Sequence, residues 1–412
     1  MLRREPGTAR TRCSRMGVAN RHAGTVFAGA VLGLVLPGLV PEPTTAAAVA
    51  PALAGRWDMA AIRPTGAAGA WAWLSAYYNG AVPAAYAEAI VLTTDGGRSW
   101  LDRTPPGSSQ GTAHRSIEGL DAVSTADAWV TYGPLGSGSQ LALMATTDGG
   151  RYWHRLGRLP SPYCSPQMLD ATVGWCVASV GAMGSEPVAI YRTTDGGRRW
   201  ALESRSRSSP PSWGPGTPGA LPFGCDKFVG LSTATVGSAA FACPAGLSPI
   251  YVSTDAGRTW RERRVQPLPA GYGLAPGNAA AWSSAPVLDG NLGAVGLSVE
   301  GGHDGSLAYR TTDAGATWWP VVPPGPPRAW SVDVVTATTW KLTAKTAVLT
   351  TTDAGRNWAT ATSVLDFAAQ GGTLDYVNAR DGWRVPVEGG PLYRTTDGGN
   401  TWQRVALPAF PG

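Results

Sequence analysis

Thr93-Thr94-Asp95-Gly96-Gly97-Arg98-Ser99-Trp100 is the stretch whose reading decides the fold. The same octapeptide returns at Thr146 to Trp153, Thr193 to Trp200, Ser253 to Trp260, Thr311 to Trp318, Thr351 to Trp358 and Thr395 to Trp402, each time as [ST]-T-D-[GA]-G-x-x-W. Its aspartates, Asp95, Asp148, Asp195, Asp255, Asp313, Asp353 and Asp397, stand 53, 47, 60, 58, 40 and 44 residues apart. A period near fifty means that one supersecondary unit is reused. A four-stranded sheet with its turns needs about that many residues.

The flanks of the octapeptide say what it joins. Ala89-Ile90-Val91-Leu92, Ala189-Ile190-Tyr191 and Leu392-Tyr393 precede it, and such apolar, β-favouring runs read as strand ends. Asp-Gly-Gly or Asp-Ala-Gly is turn punctuation. The carboxylate is placed to accept from backbone N–H groups of its own turn, and the second Gly is expected to supply a positive φ. The Trp opens the next strand and folds back over the turn as an apolar lid. A weaker motif stands upstream, as Asp127-Ala128-Trp129, Gly174-Trp175, Thr339-Trp340 and Asp381-Gly382-Trp383. It fades to Val236-Gly237-Ser238 and Leu292-Gly293-Ala294 in the fourth and fifth units. Asp121, Asp170 and Asn378 read as caps of the turn between the first two strands. The long steps hold Pro/Gly-rich loops at 204–223 and 267–278, after which the repeat resumes.

The first fifty residues differ from the rest. Six arginines precede an apolar run from Ala23 to Val40, followed by Ala46-Ala47-Ala48-Val49-Ala50. This pattern predicts a secretory signal over 1–50, with an uncleaved membrane segment as the rival, and a repeat domain over 51–412. Beyond the leader, 27 basic residues face 26 acidic ones, so nothing favours nucleic acid as a partner. Four cysteines remain there, and each close pair lies inside one repeat. Disulfides Cys164–Cys176 and Cys225–Cys243 are expected, with export to an oxidising compartment. No CxxC and no His spacing points to a metal, and no phosphate loop, nucleophile elbow or dinucleotide fingerprint is present.

Seven four-stranded units predict an all-β, seven-bladed β-propeller of antiparallel blades, because closing a ring removes exposed sheet edges. The octapeptide resembles the Asp-box, or BNR repeat, over roughly 55–408. With its upstream Gly-Trp it is most similar to photosystem II assembly-factor-type propellers, and more distantly to those of sialidases and sortilin. The resemblance implies that the box lies between the third and fourth strands of a blade, away from any catalytic site. It makes the seven aspartates structural staples, together with Trp100, Trp153, Trp200, Trp260, Trp318, Trp358 and Trp402. No catalytic, cofactor-binding or metal residue is assigned.

Function is less determined, since the box occurs among unrelated activities. The expectation is an exported, monomeric, non-enzymatic scaffold at the cell surface or secreted, binding a protein or glycan. Membrane contact would come only through an uncleaved leader. Trp213, Trp282 and Trp330 are candidate contact residues, or else packing between blades. The alternative is a sialidase-like exo-glycosidase acting on extracellular glycans. Ile62-Arg63-Pro64 is similar to the Arg-Ile-Pro segment of sialidases, with Arg115 and Glu118 as possible partners, but Pro directly follows Arg63 and no Phe or Tyr precedes it. Xyloglucanase-like hydrolases use two propellers, and this chain has room for one.

Overall fold

The computed structural model describes residues 57–77, 86–107, 115–134, 141–179, 186–206, 215–243, 246–270, 272, 279–299, 305–324, 331–344, 346–363, 365, 367, 372–385 and 390–409. The leader, Trp213 and Trp330 lie outside them. Every element among the described residues is a β-strand.

The strands follow the repeat. The first unit is a sheet of Asp58–Pro64, Ala70–Tyr77, Tyr86–Thr93 and Leu101–Asp102, in that order and antiparallel throughout. The second unit (Arg115–Ala122, Ala128–Pro134, Ala142–Thr146, His154–Arg158) and the third (Cys164–Met168, Gly174–Ser179, Val188–Thr193, Ala201–Arg205) repeat that order. So do the sixth (Ser331–Val334, Trp340–Thr343, Ala347–Thr351, Ala359–Thr362) and the seventh (Thr373–Tyr376, Gly382–Val385, Leu392–Thr395, Gln403–Val405). In every unit the octapeptide connects the third strand to the fourth.

The fourth and fifth units share one ten-stranded sheet. The fourth unit uses Asp226–Leu231, Gly237–Ala242, Ile250–Ser253 and Arg261–Val265, and the fifth centres on Leu292–Val299, Gly305–Thr311 and Thr317–Val321. They join where Arg264 and Val265 pair in parallel with Thr317 and Trp318. Gly246–Leu247 also pairs in parallel with Ala279–Trp282. The first strand of the fifth unit is broken: Ala279–Trp282 and Val287–Asp289 both pair with Leu292–Val299.

In the second and fourth units exposure concentrates on the fourth strand. Ala142–Thr146, a third strand, is wholly buried, whereas His154–Arg158 and Arg261–Val265, both fourth strands, are mostly exposed. The apolar cores lie between units as well as within them. Trp71 and Ile90 of the first unit pack with Leu120 and Val130 of the second. Ile62 and Leu74 of the first pack with Trp383, Leu392 and Val405 of the seventh. The first and seventh units therefore meet, and among the described residues no strand is exchanged between their sheets. The indole N–H of Trp153 donates to the carbonyl of Arg103 in the preceding unit at 2.8 Å, and that of Trp100 donates to Ala406 of the seventh at 2.9 Å. The closing seam thus repeats the contact made between the first and second units.

A Cβ on Gly237 would stand 2.2 Å from the ring of Trp175, so the second strand of unit four comes close against the indole of unit three.

Candidate functional site: the octapeptide turns and the seams they hold

The octapeptide is organised by its first residue. The Thr93 hydroxyl donates to Oδ1 of Asp95 at 2.9 Å and accepts from the N–H of Gly97 at 2.8 Å. The same pair of bonds recurs from Thr146, Thr193, Ser253, Thr311, Thr351 and Thr395. All seven hydroxyl residues are buried. A buried hydroxyl satisfied on both sides organises a turn that its carboxylate alone would not. The turn thus depends on this residue as well as on Asp, and its restriction to Thr or Ser in all seven copies is the sequence signal of that role.

The carboxylate then closes the far side. Asp95 accepts from the Ser99 N–H at 3.0 Å and its hydroxyl at 2.6 Å, and Asp353 accepts from the N–H of Asn357 at 2.9 Å. These bonds favour the ionised form. The bond to the Ser99 side chain, followed by that to its backbone, holds Asp95 well below the ordinary carboxylate range. The backbone and then the side chain of Asn357 bring Asp353 down to about 2.

Both residues after the aspartate are left-handed, not the second alone. Gly96 has φ 76° and Gly97 φ 84°. Ala256, Ala314 and Ala354 occupy the first of these positions at φ 62°, 55° and 59°. Their conformation turns this N–H toward the loop joining the first and second strands. It donates to Ala68, Ala126, Thr172, Thr235, Asn291, Thr338 and Arg380 in the seven units in turn. The octapeptide thereby ties both turns of one end of its sheet together.

The preceding unit also docks here. Trp129 Nε1 donates to the Gly196 carbonyl at 2.9 Å, the Ser204 hydroxyl to Gly257, and Arg310 to Ala354 at 3.1 Å. Lys341 Nζ donates to Gly398 at 3.2 Å and Ala379 at 2.6 Å, and Arg394 donates to Ala67 at the closing seam. Lys341 is buried over the Tyr376 ring, 4.4 Å from its centroid, and burial brings its amine down to about 8. Three edge-to-face or tilted indole pairs span seams: Trp71 with Trp153, Trp175 with Trp260, and Trp383 with Trp100.

The octapeptide tryptophans differ in depth. Trp318 is wholly buried and Trp260 and Trp402 nearly so, while Trp100, Trp153, Trp200 and Trp358 are half-buried. Trp260, Trp318, Trp358 and Trp402 donate to the second glycine of their own turn.

Other residues singled out from sequence sort as follows. Asp170 and Asn378 accept from the backbone of their own turns. Asp121 does not cap a turn. It is buried, and Oδ2 accepts from the N–H of Met168 in the next unit at 2.6 Å, as Asp333 does from Tyr376 at 3.0 Å. Trp282 is buried in the fifth unit's core and donates to Ser248, so it is packing and not a contact residue. The Arg63 guanidinium donates to Ile62 and Glu118 accepts from Ser116; no described contact joins the two. The structure joins Cys164 to Cys176 and Cys225 to Cys243 across first and second strands, with Cα separations of 5.5 and 4.7 Å. Among the described residues no cluster of three or more His, Cys, Asp or Glu side chains is placed to hold a metal.

Solved structures share this fold. The chain is similar to YCF48 bound to a D1 peptide, at 16% identity and a TM-score of 0.50, covering 84% of this chain and 93% of that one. It is also similar to a prolyl endopeptidase, at 10% identity and a TM-score of 0.53, covering 84% of this chain and 49% of that one. The chain is a β-propeller. A further likeness, to the β-propeller domain of the Trilobed protease from Pyrococcus furiosus, stands at 8% identity and a TM-score of 0.47, covering 86% and 99%. At such identities the likeness is one of fold. No family model matches this propeller, and no curated protein does. Five of its sheets are four-stranded and antiparallel, and the octapeptides lie at the turns between third and fourth strands.

Proposed function

We propose that this chain is an exported, non-enzymatic propeller of seven blades, occupying 51–412 behind a secretory leader, that acts as a protein-interaction or assembly scaffold. The seven octapeptides are Asp-boxes whose aspartates and tryptophans hold the blades, leaving function to the residues between them. One observation carries this reading. The carboxylates that look most like a functional array are each committed to hydrogen bonds inside their own turns. The two disulfides support an oxidising compartment. The count of seven treats the ten-stranded sheet as two blades, which its two octapeptides support. Propellers of this fold include one solved with a bound peptide, YCF48 with a D1 peptide, which supports a protein partner here.

The test pairs a crosslinking assay on cells with a turnover assay on purified protein. Crosslinking on the native cell surface should recover a specific partner, and a fluorogenic sialoside should not be turned over. Turnover abolished by Arg63→Ala would replace the scaffold reading with a glycosidase.

A further inference from the structure

The charge on the outer edge of the ring is unevenly placed. In the second, third and fourth units, the segments Asp148–Arg158, Asp195–Arg205 and Asp255–Val265 hold three, three and four arginines. They face five carboxylates, a net of +5. The matching segments of the other four units, Asp95–Arg103, Asp313–Val321, Asp353–Thr362 and Asp397–Val405, sum to −1. The near-neutral total hides this sector.

The sector is available to a ligand. Arg151, Arg155, Arg198, Arg199, Arg258 and Arg261 are all exposed. Three of the five carboxylates belong to octapeptides and already accept bonds in their turns. Of the other two, Glu203 pairs with Arg258 at 2.9 Å and Glu262 accepts from the Tyr251 hydroxyl. Burial, and then the neighbouring charge of Arg261, lower the pKa of Arg263 below its ordinary value.

We propose that this basic outer edge binds a linear acidic polysaccharide, a polymer of uronate type. Three features favour that occupant. Every cation in the sector is Arg, whose planar fork takes a carboxylate bidentately. A cluster of three or four arginines recurs in each of three successive units, which suits a chain with repeating charge better than a point ligand. Tyr152 stands 72% exposed between Arg151 and Arg155, offering an aromatic face to a sugar ring. The inference rests on the export reading, which places the protein among such polymers.

The experiment compares the full chain with two triple charge reversals. One alters the sector (Arg155→Glu, Arg199→Glu, Arg261→Glu), and the other makes the same charge change elsewhere on the outer edge (Arg98→Glu, Arg356→Glu, Arg404→Glu). Binding to alginate is measured at 50 and 200 mM salt, with poly-L-glutamate and phosphatidylglycerol vesicles as separate probes. Alginate should bind the wild type and the second triple alike, at least tenfold more weakly at high salt, as contacts between exposed charges are screened. The sector triple should lose at least tenfold. If its unfolding midpoint falls, the Arg→Gln triple at the same positions replaces it, with the same loss expected. Equal loss in both triples, no alginate binding by the wild type, or tighter binding to poly-L-glutamate or vesicles overturns the proposal. A protein partner recovered by crosslinking while alginate fails would leave the scaffold reading standing without this surface.

Discussion

Replacing Thr311 with Val tests what holds an octapeptide turn. Val keeps the shape and removes only the hydroxyl. Thr311 is 1% exposed, and its hydroxyl donates to Asp313 at 2.7 Å and accepts from the Gly315 N–H at 3.0 Å. The substitution leaves that buried N–H without a partner, at a cost of about 1–3 kcal/mol. It also removes a hydrogen bond to a carboxylate, which contributes about 1.5–3 kcal/mol where well formed and less here, since the carboxylate faces water. A loss of roughly 2–4 kcal/mol is expected by equilibrium urea unfolding, read from the midpoint at unchanged slope. Thr311→Ser is the control, because Ser253 already makes the same two bonds in the fourth unit. It should cost at most about 1 kcal/mol, the value of one buried methyl group. A Val variant within about 0.5 kcal/mol of wild type, or a Ser variant as damaged as Val, would refute the hydroxyl's role.

Three further outcomes follow from the same turns. Ala256→Gly, Ala314→Gly and Ala354→Gly should each stabilise by about 0.5–1 kcal/mol, since relieving a left-handed Ala outweighs the added chain entropy of Gly; a fall in the urea midpoint would contradict the strain. Trp318→Ala, at the most buried octapeptide indole, should cost about 3–5 kcal/mol, and the half-buried Trp358→Ala clearly less, measured the same way. Acid should weaken the turns. Asp353 titrates at about 2 when folded, against an ordinary 3.8, so its stabilisation is complete above pH 4 and is lost as pH falls toward 2. Thermal midpoints of Asp353→Asn should be flatter than wild type over that range, and parallel profiles would argue against the assignment.

Local features were legible in the sequence, and relations between units were not. The strand-turn-strand reading of the octapeptide needed only neighbours in the chain, and the observed strands match it. Asp121 was misread because its hydrogen-bond partner, Met168, lies 47 residues away in the next unit. The seam donors Arg310 and Arg394 both stand just before the octapeptide, in Tyr-Arg-Thr-Thr-Asp, whereas Lys341 comes from a second strand, so only the packed sheets reveal that the three serve one purpose. Trp282 was ambiguous because burial of an indole depends on what the ring brings against it. The arginine-rich sector was present in the sequence, but a total near neutrality averaged it away.

Closure of the ring rests on the contact between the first and last units. Trp100 packs against Trp383 with ring centroids 6.4 Å apart, and its N–H reaches Ala406. A double-mutant cycle of Trp100→Ala and Trp383→Ala measures this seam directly. A closed propeller predicts a coupling energy of about 0.5–3 kcal/mol, as for residues in contact. Additive losses within about 0.3 kcal/mol would mean that the two ends do not meet, and would contradict the ring.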